Sequence, residues 1–120
     1  MSARGEEEVS AWYDAQSPKI QAAFDQRIRA LMQMQLQEWR DPYTKKLKGD
    51  GSGLIEIRFF KDNVQYRPLG FFGPNRGEFT ILICAIEQGD EFVPRNAIAR
   101  AQRRKREVLQ DARSRIFSVD

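Results

Sequence analysis

The feature that most constrains this chain is an alternation that begins at Leu54. Across Leu54–Phe60, Ile55, Ile57 and Phe59 alternate with Glu56, Arg58 and Phe60. That period of two belongs to a strand, not a helix. One face is apolar; the other carries an acid and a base. Two further runs, Val64–Phe72 and Phe79–Ile86, complete a three-stranded antiparallel meander lying within Lys46–Arg95. Lys61-Asp62-Asn63 and Gly73-Pro74-Asn75-Arg76-Gly77 supply turn residues between the strands. Ile81-Leu82-Ile83-Cys84-Ala85-Ile86 is apolar on both faces, as suits a central strand. Pro68 and Gly70 interrupt the second run and predict an edge strand or a bulge there. A short sheet that shows arginines on one face needs an anionic partner.

Helical patterns flank the sheet. Glu6-Glu7-Glu8 places acids in a first helical turn, where they complement the helix dipole. Val9, Trp12 and Tyr13 then form a short stripe. Ser17 suits an N-cap and Pro18 a first helical residue. Ile20, Phe24, Ile28, Leu31, Met32, Leu36 and Trp39 recur at spacings of three and four, predicting one amphipathic helix that runs to Asp41-Pro42. The two helices make a hairpin able to cover one face of the sheet. After Phe92-Val93-Pro94 a last helix has an apolar edge of Ile98, Ala101, Val108, Leu109, Ala112 and Ile116. Its remainder is basic: Arg100, Arg103, Arg104, Lys105 and Arg106. The expected fold is α+β, a single domain over residues 1–120 with residues 1–8 disordered. Its core should gather Phe24, Leu31, Ile55, Ile57, Phe59, Ile81 and Ile83.

Charge is distributed unevenly. The net of +3 is mild, but residues 1–17 carry −3 and residues 95–115 carry +6. Such asymmetry suits a basic face for phosphates or for an acidic protein. Lys46, Lys48, Lys61, Arg76, Arg95, Arg103 and Arg104 are the candidate nucleic-acid contacts. One cysteine excludes an internal disulfide and fits a reducing cytoplasm. No long apolar run or signal-like start appears, so no membrane association is expected. The glycines of Gly49-Asp50-Gly51-Ser52-Gly53 precede a strand, whereas a nucleotide fingerprint follows one; they read as a connector. Glu87, Asp90 and Glu91 could form only a weak oxygen-ligand site, so neither metal nor cofactor is expected. Cys84 sits in an apolar strand with no histidine to activate it.

Together, Lys-Leu-Lys-Gly at 46–49, Leu-Ile-Glu-Ile-Arg-Phe at 54–59, Tyr66-Arg67 and a central apolar strand followed by a basic helix resemble the RelE/HigB toxin superfamily. The resemblance covers about residues 18–110 in matching order and is nearest the phage-derived HigB-like branch. It implies a helical hairpin and a C-terminal helix packed on a small antiparallel sheet. It also implies a toxin that cuts mRNA on the ribosome without metal and is blocked by a cognate antitoxin, expected to be a helix-turn-helix protein. By the same resemblance Arg67 is the sheet arginine set against the phosphate, and Arg58 is the arginine ending the first strand.

The chemistry can be argued separately. Cleaving RNA with its own 2′-hydroxyl needs a base, an acid and cations for the charge growing on phosphorus. The chain has no histidine, which leaves Arg, Lys, Tyr and carboxylates. Tyr66 and Glu56 are the nearest proton carriers, although Glu56 shares a face with Arg58 and could equally be its ion-pair partner. The chain departs from the family where lysines are replaced by Leu54 and Glu56, and where Glu87-Gln88-Gly89-Asp90-Glu91 stands in place of a basic run. The family's C-terminal Tyr or His is also missing, and Arg95 lies only near its place. The alternative to an endoribonuclease is a non-catalytic binding protein on the same fold, either an inhibitor, as the related ParE branch poisons gyrase, or a phage accessory protein that keeps only the partner-binding face.

Overall fold

In the computed structural model, residues 3–118 are described, with side chains from Glu8 to Asp111. The expectation of disorder over residues 1–8 falls mainly on side chains outside that range, as do Ala112 and Ile116. Helix α1 (Ala3–Asp14) and helix α2 (Pro18–Met32) form the hairpin. Ser17 caps α2, its Oγ accepting from the Ile20 N–H at 3.4 Å, and Pro18 opens it. Tyr13 locks the two helices together. Its hydroxyl donates to Asp25 Oδ2 at 2.7 Å, and its ring meets Phe24 edge-on at 5.6 Å.

The sheet has six strands, all paired antiparallel: β1 (Thr44–Lys46), β2 (Ile55–Ile57), β3 (Phe59–Lys61), β4 (Val64–Phe72), β5 (Phe79–Gln88) and β6 (Glu91–Val93). They run in the order β1-β2-β4-β5-β6, with β3 also on β4. β2 and β3 are halves of the single strand expected at 54–60. Glu56 pairs with Leu69 and Phe59 with Tyr66, a register that sets Arg58 across from Arg67. The same register puts Ile57 opposite Pro68, which has no N–H to give, and the ladder to β4 is interrupted there. The Arg58 N–H faces the other neighbour and donates to the Tyr43 carbonyl at 2.9 Å.

Asp62 and Asn63, both at positive φ (53° and 65°), make the two-residue turn between β3 and β4, the geometry that matches strand twist. The expected bulge falls between Leu69 and Gly70. A Cβ on Gly70 would run into the Thr80 carbonyl oxygen and the Phe79 ring, so only glycine fits. Opposite that slip, Leu82 and Ile83 both join one core.

Two cores lie on opposite faces of the sheet. The hairpin covers Phe59, Tyr66 and half-buried Ile86 with Ile20, Phe24 and Trp12. Helix α3 (Ala97–Ser118) covers Leu54, Leu69, Phe71, Ile83 and Ala85 with Ala97 and Ala101. The anticipated core is therefore divided, and Phe24 and Ile81 are only half-buried.

Three local expectations are corrected. Helix α2 stops at Met32 rather than Asp41, because Trp39 folds back and its indole N–H donates to the Leu31 carbonyl at 3.0 Å. That bond adds to the one the Leu31 carbonyl accepts from the Met34 N–H at 3.0 Å, while the ring packs on Phe72 and Phe79 at 4.8 and 5.2 Å. Met32 and Leu36 are left exposed. The lysine-rich stretch after Pro42 contains strand β1, paired on β2. The glycine connector is a short 3-10 turn, Gly49–Gly51, held by Gln102, whose side-chain amide donates to the Asp50 and Ser52 carbonyls at 3.0 Å.

Leu69 is fully enclosed beneath α3. Leu69→Ala should lower stability by about 2–5 kcal/mol, the range for buried leucines, whereas Met32→Ala should change it by under about 0.5 kcal/mol. Urea denaturation of both variants checks the assignment; equal effects would mean that α3 does not cover this face.

Candidate functional site

The acid and base of the first strand meet their partners on the sheet face that α3 covers. Glu56 projects from β2 on the same face as Arg67 of β4 and Glu87 of β5, because Glu56 pairs with Leu69 and Gln65 with Glu87. Five charges alternate across the sheet. Asp41 Oδ1 accepts from Arg58 Nη1 at 3.0 Å, and Arg58 Nε lies 3.2 Å from Glu56 Oε2. That oxygen is 3.9 Å from Arg67 Nε, which donates to Glu87 Oε1 at 2.9 Å. The side chains of Glu56 and Arg67 are each 6% exposed, while Asp41 at the outer end is 81% exposed.

Each guanidinium nitrogen of Arg67 is engaged by the protein itself. Besides Glu87, its Nη1 donates to the Tyr66 carbonyl at 2.9 Å and its Nη2 to Gln65 Oε1 at 2.5 Å. Buried charge requires such pairing. Arg58, with its side chain 28% exposed, is the guanidinium of the two that solvent reaches. Burial pushes the Glu56 carboxyl above its ordinary value near 4.5; Arg58 and Arg67 oppose that rise, and the Glu87 charge adds to it.

The sequence-nominated set is thus partly assembled. Glu56, Arg58 and Arg67 come together, whereas Tyr66 lies on the opposite face. Its ring stacks on Phe59 at 4.9 Å and meets Trp12 edge-on at 6.1 Å. Burial, then the charge of Asp62, raises its hydroxyl pKa. Glu87 and Asp41 were not singled out as partners. Glu87 looked like the polar end of an apolar run, and Asp41 like a helix stop. Strand register is what links Glu87 to Arg67, and no local pattern carries it.

The nominated cations are dispersed. Lys46, Lys48, Lys61, Arg76 and Arg103 are exposed. Lys61 and Arg76 adjoin opposite ends of β4, nine residues or about 30 Å apart. Arg95 is exposed and pairs with Glu91 at 3.2 Å. Arg104, by contrast, is buried. Its Nη1 donates to the Leu82 carbonyl at 2.6 Å, it pairs with Glu8, and burial lowers its pKa. Half-buried Cys84 has its thiol pushed up to about 12 by burial, so almost no thiolate forms near neutrality.

This architecture, a helical hairpin and a terminal helix on either face of a curled antiparallel sheet, is α+β and RelE-like. A family model described as phage derived protein Gp49-like (DUF891) matches residues 11–106. The chain belongs to that family, one of RelE/HigB-like toxins. No curated protein and no solved structure matches the chain. Among the described residues no helix is long and apolar enough to cross a membrane.

The position of Glu56 has a consequence for pH. A carboxyl whose pKa is raised on folding holds its proton more tightly when folded, so its contribution to stability is full below about 4.5 and is lost as pH rises through the raised value. Glu56→Gln keeps the neutral form throughout. Its stability relative to the parent should therefore climb as pH rises from 4.5, in paired urea titrations at several pH values. A constant difference would mean that Glu56 is not raised.

Proposed function

We propose that the chain is the toxin of a type II toxin–antitoxin pair of the HigB-like branch, a cytoplasmic, metal-independent endoribonuclease that cuts ribosome-associated mRNA. Its expected partner is a cognate antitoxin, a helix-turn-helix protein. The observation that carries this reading is the Glu56–Arg58 pair, a carboxyl with raised proton affinity 3.2 Å from a guanidinium that solvent reaches. In the proposed reaction the 2′-oxygen attacks phosphorus as Glu56 takes its proton. The bond to the 5′-oxygen breaks, that oxygen gains a proton from water, and a 2′,3′-cyclic phosphate is left. Arg58 holds the charge that grows on the phosphate oxygens; a guanidinium stays protonated at any working pH. Arg67 acts behind them, fixing Glu56 in place.

One observation favours the non-catalytic reading, a toxin-fold protein that inhibits by binding. The arginine that the resemblance sets against the phosphate has Nε, Nη1 and Nη2 all engaged within the protein.

A single variant separates the two. Arg58→Ala removes the nearest counter-charge of buried Glu56, so it should melt below the parent but still fold, while cleaving mRNA about a hundred- to a thousand-fold more slowly, the usual cost of losing one charge-stabilising contact. Expression from a tightly repressed promoter, followed by growth and by primer extension on total mRNA, reads both effects. Growth arrest by the parent without new mRNA ends, persisting in folded Arg58→Ala, would establish inhibition by binding.

A further inference from the structure

Between the 3-10 turn at Leu36–Glu38 and the edge strand β1 lies an open groove of about 470 Å3. Trp39, Arg40, Thr44, Lys45, Lys46 and Arg58 line it. Arg40, Lys45 and Lys46 are exposed. The groove's carboxylate, Asp41, is already matched by Arg58 at 3.0 Å. Arg40 and Lys46 have no ion pair among the described residues, unlike Arg58, Arg67 and Arg104, and Lys45, set opposite Glu56 across β1 and β2, feels that carboxylate's charge yet stays exposed. Thr44 is 1% exposed, and its Oγ1 has no hydrogen-bond partner, which is unusual for a buried hydroxyl. Trp39 is held rigidly by its bond to the Leu31 carbonyl and by Phe72 and Phe79.

Exposed cations beside a fixed indole are the two components of a single-strand site: charges for the phosphates and an aromatic surface for a base. We propose that this groove binds a stretch of single-stranded RNA, with Arg40, Lys45 and Lys46 on its phosphates and Trp39 against one base. The assignment rests on the RNA reading above and extends it. Arg58 belongs both to the groove and to the charge chain, so a strand lying along β1 is delivered to the one arginine of that chain's pair that solvent reaches. An acidic peptide would satisfy the cations but would leave Trp39 without a role.

The test uses the whole chain, the triple variant R40Q/K45Q/K46Q and a labelled single-stranded oligoribonucleotide of about eight nucleotides, within the usual span of such sites. Fluorescence anisotropy across a salt series gives the slope of log affinity against log salt. Each phosphate contact to a single strand contributes about 0.7 to that slope, so loss of three should reduce it by about 2. Melting behaviour should be unchanged, since all three side chains are exposed. The same strand made abasic should bind the parent about tenfold more weakly, the effect of one lost stacking contact; equal binding would remove Trp39 from the site. A parent that binds with a slope the triple variant shares would overturn the groove and leave the RNA reading standing. A parent that binds no RNA would overturn both. Oligoglutamate that displaces the strand at equal charge concentration would assign the groove to an acidic peptide instead.

Discussion

The structure depends on an ion chain inside its own sheet. Glu56 and Arg67 lie on the face that α3 covers, among Leu54, Leu69, Ile83 and Ala85. Neither charge could be buried there alone. Paired with each other and continued outward through Arg58 to Asp41 and through Glu87, they satisfy one another and reach water at both ends. This arrangement also fixes register. A slip of one residue between β2 and β4 would turn Glu56 toward Phe59 and Tyr66 and leave Arg67 without a carboxylate from that strand. The anionic partner that the arginine face requires is thus supplied first from within the molecule.

A second buried cation closes the sheet. The outer edge of β5 is paired with β6 only from Ile86 to Gln88, which leaves Phe79–Ala85 as an open edge. Open edges invite pairing with other chains unless something covers them. Arg104 donates to the Leu82 carbonyl on that edge and pairs with Glu8 of α1, while Arg100 reaches the same carboxylate at 3.1 Å. Part of the basic character of α3 therefore fastens the two terminal helices to the sheet.

Much of the fold was legible because it rests on short-range signals. Alternation located β2 and β3 as one run, runs bounded by turn residues located β4 and β5, Ser17-Pro18 marked the start of α2, and Asp62-Asn63 the hairpin turn. Pro68 and Gly70 marked the bulge. What escaped depends on distant partners. Strand β1 is Thr-Lys-Lys, with nothing apolar to announce it, and becomes a strand because β2 offers it an edge. The end of α2 was masked by a stripe that continues through Leu36 to Trp39, and only the packing of Trp39 on Phe72 and Phe79 shows why the helix gives way. For the site, alternation put Glu56 and Arg58 on one face, but the burial of Arg67 and Arg104 could not be read, because a charged side chain looks the same in sequence whether solvated or paired.

That last ambiguity bears directly on function. Arg58, Arg67, Arg95, Arg100 and Arg104 each have a carboxylate within ion-pair distance, so the exposed excess of positive charge rests largely on other residues, Lys45, Lys46 and Lys48 among them. The distinction is chemical. A guanidinium presents a rigid fork that grips phosphate or a base edge with two bonds, whereas an ammonium is a hydrated point charge on a flexible stem. Such lysines hold a nucleic-acid backbone without reading its bases. If RNA is the substrate, choice of cleavage site must then come from elsewhere: from arginines that solvent reaches, such as Arg40 and Arg58, from an aromatic surface such as Trp39, or from the assembly that presents the strand.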